Sequence, residues 1–191
     1  MSITIDLQPL TNSVSDSKLA ALSAKNPDLR LETDAAGKLI IMPPTGSLTG
    51  EKNADLIYQV QAWNRRYKLG KVFDSSTGFK LSNGAVRSPD VSWIAIARCN
   101  SLSDKQKRGF APIAPDFVIE LTSPTDNLQE IRQKMNEYLD CEVRLGWLID
   151  PDAKQVEIYR CGKEPEIISN PISLSGESVL PNLIVDVSEI F

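Results

Sequence analysis

The sequence predicts a mixed α/β fold of α+β character, with short strands interleaved between two amphipathic helices, and two observations carry that expectation. Leu56, Ile57, Val60, Trp63 and Tyr67 share one helical face between about Ser47 and Leu69, and Leu128, Ile131, Met135 and Leu139 share another in DNLQEIRQKMNEYLD. Around them lie short apolar stretches, some alternating with polar residues and bounded by Thr-Gly, Asn-Gly and proline signals, which read as strands.

A chain of 191 residues is one domain's worth, so residues 1–191 are expected to form a single unit with its own core. Apolar residues at 41% and charged residues at 24% are ordinary for a globular protein and exclude a disordered or fibrous chain. The sequence contains no histidine, which removes Ser-His-Asp and Cys-His catalysis, imidazole bases and zinc sites that need an imidazole. Cys99, Cys141 and Cys161 are too few for a closed four-cysteine zinc site, and their odd number argues against a disulfide framework, so a reducing cytoplasm is expected. No apolar stretch approaches the ~18 residues of a membrane span, and MSITIDLQPL does not read as a leader. With 21 Lys and Arg against 25 Asp and Glu, the net charge of −4 requires any nucleic-acid contact to come from a local basic patch.

In chain order, SDSKLAALSAKNPD offers capping residues and an Asn-Pro stop, predicting a short helix over about Ser17 to Lys25. LRLETDAAGKLIIMPP reads as an N-terminal hairpin turning at Asp-Ala-Ala-Gly, with Pro43 and Pro44 ending it. The long helix follows, and Gly70 stands where a left-handed cap would close it. KVFDSSTGFKLSNGAVRSPDVSWIAIAR reads as strands of one antiparallel portion, with an alternating run starting at Asp90. CNSLSDKQKRGFAPIAP is a connector with at most one or two helical turns. PDFVIELTSP is a compact strand, and the helix after it opens on Asp126 and Gln129 at the spacing of a capping box. RLGWLIDPDAKQVEIYRCG gives two more strands, and short extended pieces run to the C-terminus.

Asp90 and Glu120 are the candidate chemical groups, because each carboxylate is set among strand residues that are otherwise apolar. Alternation puts Phe117, Ile119 and Leu121 on one face and Val118 with Glu120 on the other, which places a carboxylate on a core-type face. Burying it costs several kcal/mol unless a cation is near. That cation can be a lysine or arginine, or a divalent metal such as Mg²⁺, which commonly takes only one or two protein carboxylates. Lys134 lies on the shoulder of the following helix's apolar stripe, where it can neutralise Glu120 or orient and help deprotonate an attacking water. Glu51, near the start of the long helix, falls opposite the apolar stripe and reads as a solvated residue more readily than as a third acid. Lys105, Lys107 and Arg108 form a small basic cluster that suits either phosphate contact or a solvated loop. The Thr45-Gly46 and Thr49-Gly50 pairs lack the spacing of a phosphate loop, and Ser47, Ser75 and Ser123 have no recognisable activating partner.

The segments KLIIMPPTG, VFDSSTGFKLSNGAVRSPDVSW, PDFVIELTSPTD, KMNEYL, RLGWLIDP and SGESVLPN, in this order and spacing, resemble the Uma-type family of putative restriction endonucleases within the PD-(D/E)XK nuclease superfamily. The resemblance implies a restriction-endonuclease-like central mixed sheet flanked by helices, with the active site where the sheet splays. It also implies an Mg²⁺-dependent endonuclease (Mn²⁺ being a possible substitute) that hydrolyses DNA phosphodiester bonds. By the same resemblance Asp90 and Glu120 are metal-binding acids, the Leu121 backbone carbonyl is a further ligand, and Lys134 is the catalytic lysine, because Thr122 stands where the superfamily pattern expects one. In VLPN, Asn182 replaces the family's usual glycine, and asparagine also tolerates left-handed backbone. Cutting both strands of a duplex would need a homodimer or higher homo-oligomer. The rival expectation is a catalytically inactive module that binds DNA or protein, with Asp90, Glu120 and Lys134 as a structural ion cluster.

Overall fold

The computed structural model describes residues 3–5 and 14–191. Its strands fall into a large six-stranded sheet, a smaller five-stranded one and a C-terminal pair. The small sheet begins with β1 (Ile3–Ile5) and the predicted hairpin, β2 (Arg30–Thr33) and β3 (Leu39–Met42), with Gly37 at φ 79° in the turn. Between β1 and β2, α1 (Asp16–Lys25) is capped by the Ser15 side chain and buries Leu19 against Leu31, Leu39 and Val86.

The helix α2 (Ser47–Tyr67) buries Leu56, Val60 and Trp63, as its periodicity predicts. It ends earlier than Gly70, because Lys68 takes the left-handed position with φ 56°. Gly70 opens β4 (Gly70–Asp74) instead, for a steric reason. A Cβ there would lie 2.2 Å from the Ile94 carbonyl oxygen and 2.4 Å from the Trp93 ring. The Asn64 amide clasps both backbone groups of Gly70 and accepts from the Trp93 indole, so the helix end is tied to the sheet.

The segment after β4 does not form one antiparallel portion. β5 (Phe79–Lys80) and β6 (Val86–Arg87) join the small sheet in the order β1-β3-β2-β6-β5, and Ser88, Pro89 and Asp90 carry the chain into β7 (Val91–Ala95) of the large sheet. The alternating run ends at Ala95, where α3 (Ile96–Ser101) begins, followed by α4 (Asp104–Lys107). The helix α4 opens on a capping box formed by Ser103 and Gln106.

β8 (Phe117–Leu121), α5 (Leu128–Asp140) and β9 (Leu145–Asp150) form a crossover that makes β8 and β9 parallel, and all other pairings in the large sheet are antiparallel. The α5 cap sits one residue later than the sequence spacing suggests. Asn127 accepts from the Gln129 N–H, while Asp126 accepts from the Ser123 backbone and hydroxyl in the preceding turn. β10 (Gln155–Arg160) and β11 (Glu166–Ser169) complete the order β11-β10-β9-β8-β7-β4.

The two faces of this sheet divide the core as the alternation of β8 predicts. Phe117, Ile119 and Leu121 pack with α2 and with β12 (Ser173–Ser175) and β13 (Ile184–Asp186), while Val118 packs with Met135 and Tyr138 of α5. Trp147, Phe117 and Tyr138 are fully buried, and each such side chain contributes about 1.5–3 kcal/mol or more of transfer free energy. Asn182 adopts φ 63°, the left-handed turn expected of it. Among the described residues, no helix is long and apolar enough to cross a membrane.

Candidate active site at the junction of the two sheets

β6 belongs to the small sheet and β7 to the large one, and α5 reaches both through Glu137 on Arg87 and Lys134 on Glu32 and Glu120. Val91 pairs with Ile119 in antiparallel register, so Asp90 stands beside Glu120, the next residue of β8. Asp90 Oδ2 accepts the Leu121 backbone N–H at 2.9 Å, which pins the carboxylate across the strand pair. Its Oδ1 lies 3.4 Å from Arg30 of β2.

Glu120 projects from the opposite side of β8 to Leu121, towards α5. Its Oε1 accepts from the Tyr138 hydroxyl at 2.8 Å and from the Lys134 ammonium at 2.9 Å. Its Oε2 has no hydrogen-bond partner among the described residues. Burial pushes the Glu120 carboxyl up to about 7; Lys134 opposes the rise, and the like charges of Asp90 and Glu32 add to it.

Glu32 of β2 completes the cluster, and its role did not emerge from the sequence. Its Oε1 accepts from Lys134 at 3.1 Å and from the Ser88 N–H at 2.8 Å, and its Oε2 faces Arg87 at 3.2 Å. Burial opposes its ionisation, yet Lys134, Arg87 and the Ser88 N–H together hold its carboxyl below the usual range. Arg87 in turn is bonded through Nε to Glu137 of α5. Lys134 therefore bridges two carboxylates. Burial alone would lower its pKa, but Glu120 and Glu32 raise it, so near neutral pH Lys134 is an ammonium ion that donates and not a free base.

Asp90, Glu120 and Lys134, picked out by sequence, thus converge, and the Leu121 backbone stands with them. Thr122, at the position of the superfamily lysine, stays in the sheet ladder by donating to the Ile149 carbonyl, and Lys134 reaches the site from α5. Glu51 is exposed on α2 and, among the described residues, is not one of the carboxylates paired in this cluster. Lys105, Lys107 and Arg108 are exposed on and just after α4. The signal that could have found Glu32 is the one that found Glu120, a carboxylate in phase with buried strand positions, here in LRLETD.

The donor set suits a hard divalent cation on chemical grounds. Among the described residues no group of three or more His, Cys, Asp or Glu side chains is gathered as a metal cage. Two carboxylates are nevertheless sufficient protein ligands for Mg²⁺, and Glu120 offers an unused oxygen beside Asp90. The Glu120 carboxyl is a weaker acid than usual, first because it is buried and then because Asp90 and Glu32 are near, and a cation at the site would favour its ionised form.

The architecture is a mixed sheet flanked by helices, with two acids and a lysine brought together where β7 and β8 meet β2 and α5. The chain belongs to the Uma2 family, described as putative restriction endonuclease, whose model matches residues 17–188. It is also similar in structure to a putative nuclease of the DUF820 group from Anabaena variabilis. The TM-score is 0.73 at 22% identity, over 84% of this chain and 89% of that one. A search of curated proteins finds no match.

Proposed function

We propose that this protein is a Mg²⁺-dependent endonuclease that hydrolyses DNA phosphodiester bonds. The observation that carries the reading is the juxtaposition of Asp90 with a Glu120 whose acidity is shifted to about 7 and whose Oε2 is unused, beside a buried ammonium. Asp90, Glu120 and the Leu121 carbonyl would hold Mg²⁺ or Mn²⁺, which supplies charge neutralisation at the phosphate and a more acidic water.

The chain's own residues do the rest. Lys134, fixed between Glu32 and Glu120, directs its N–H groups into the site, where they orient the nucleophilic water and offset phosphate charge. Glu32 and Arg87 hold that ammonium in place. Tyr138 fixes the rotamer of Glu120 through its hydroxyl. Cleavage of both strands of a duplex calls for two such sites, so the active form is a homodimer or a higher homo-oligomer.

Incubating plasmid, single-stranded DNA and RNA with the protein, in Mg²⁺, Mn²⁺ or chelator and beside Glu120→Ala, tests the proposal. Metal-dependent DNA cleavage lost in the variant supports it. Equal cleavage by both proteins defeats it.

One observation favours a second reading, a non-catalytic binding module. Lys134 and Arg30 already pair with Glu120, Glu32 and Asp90, so the acids have partners without any added ion. Calorimetric titration with Mn²⁺ separates the two: heat of binding abolished by Asp90→Ala belongs to the nuclease, and no binding at all to the module.

A further inference from the structure

Arg30 is held less firmly than any other cation of the cluster. It sits on the same face of β2 as Glu32, two residues away, so one strand delivers an anion and a cation into the junction. Glu32 is fully engaged there. Arg30 makes two long contacts, 3.4 Å to Asp90 Oδ1 and 3.3 Å to the Ser88 carbonyl, and its buried Nε has no partner. A guanidinium offers five donors in a planar fork matched to phosphate oxygens, and an orphaned N–H is costly. The side chain keeps 31% of its surface exposed, which leaves it open to an incoming ligand.

Charge balance bears on the sign of such a ligand. Among the described residues, Asp90 is the one carboxylate paired with Arg30. With Asp90 and Glu120 committed to a divalent ion, the pair is neutralised and Arg30 loses its counter-charge. An anion arriving at the same place restores it.

We propose that Arg30 is the phosphate-binding residue of this site, turning from Asp90 to a non-bridging oxygen of the DNA backbone. The assignment rests on the nuclease reading above. It gives Arg30 a substrate contact in place of its long ion pair with Asp90.

Binding of a short fluorescein-labelled DNA duplex, followed by anisotropy over a range of NaCl with Ca²⁺ replacing Mg²⁺, tests it. Arg30→Ala and Arg30→Gln weaken binding by about tenfold, as loss of a charge-assisted bond does. Each flattens the logarithmic salt slope by ~0.9, the contribution of one phosphate contact. Arg30→Lys restores the slope. Thermal melts identify the folded variants, and Arg30→Gln, which keeps a donor for the Ser88 carbonyl, serves if the alanine variant does not fold. Mn²⁺ affinity, measured separately, stays the same or rises, since a competing cation has gone. Wild-type binding with an unchanged slope in both neutral variants overturns the role of Arg30 alone. A wild-type protein that binds no duplex overturns the nuclease reading as well.

Discussion

Tyr138 donates its hydroxyl hydrogen to Glu120 Oε1 across 2.8 Å, and both residues are buried. The bond joins α5 to β8 inside the crossover and fixes the carboxylate on which the site depends. Tyr138→Phe keeps the ring and its packing but leaves Oε1 to Lys134 alone. The expected loss is about 1–2 kcal/mol of stability in urea unfolding, with the m-value unchanged.

Glu120 gives the metal-free protein an inverted pH dependence. A carboxyl raised from 4.5 to about 7 binds more protons folded than unfolded, so its stabilising contribution is present below about 4.5 and is lost as pH rises towards 7. The displacement corresponds to about 3 kcal/mol. Glu32, whose carboxyl is lowered, acts in the opposite sense and only below 4.5, so the two windows do not overlap. Unfolding measured between about pH 4.5 and 7 should show stability declining in the wild type and a flatter profile in Glu120→Gln.

Metal binding should reverse that trend. Because a carboxylate ligand must be deprotonated, thermal stabilisation by Mg²⁺ or Mn²⁺ grows as pH rises through about 7. Differential scanning fluorimetry at several pH values checks it, and Asp90→Ala removes the metal-induced shift at all of them.

Glu32→Gln leaves Arg87 and Lys134 crowded in a buried site without the anion that joins them. The expected cost is about 3–5 kcal/mol, that of breaking a buried ion pair from one side. Chemical denaturation measures it, and a variant as stable as wild type would mean that the cluster is not structurally coupled.

Gly70→Ala forces a methyl group against the Ile94 carbonyl at 2.2 Å, where the obstacle is backbone and cannot rotate away. A loss of about 1–3 kcal/mol is expected, as for overpacking elsewhere. Thermal melting reads it directly.

How far the sequence reveals this site depends on range. The helical stripes and the alternation of β8 are local patterns, so they put Glu120 on the face of β8 that α5 covers and Lys134 on the flank of α5 that meets it. The transfer of β5 and β6 to a second sheet is not local: it rests on Thr33 pairing with Val86, a contact no periodicity announces. Glu32 and Arg30 were hidden for the same reason, since their significance appears only when β2 lies beside the start of β7. The cap at Asn127 and the left-handed turn at Lys68 differ from their expected positions by one or two residues, because competing hydrogen bonds at Asp126 and the tight seat of Gly70 decide them.

The bridge from Glu32 to Lys134 spans 102 positions of the chain. During synthesis, a ribosome that has released β8 but not α5 has exposed both metal-binding candidates without the ammonium between them or the tyrosine that orients them. The two buried acids of the early strands thus acquire their balancing charge late, when α5 emerges and Lys134 reaches both of them.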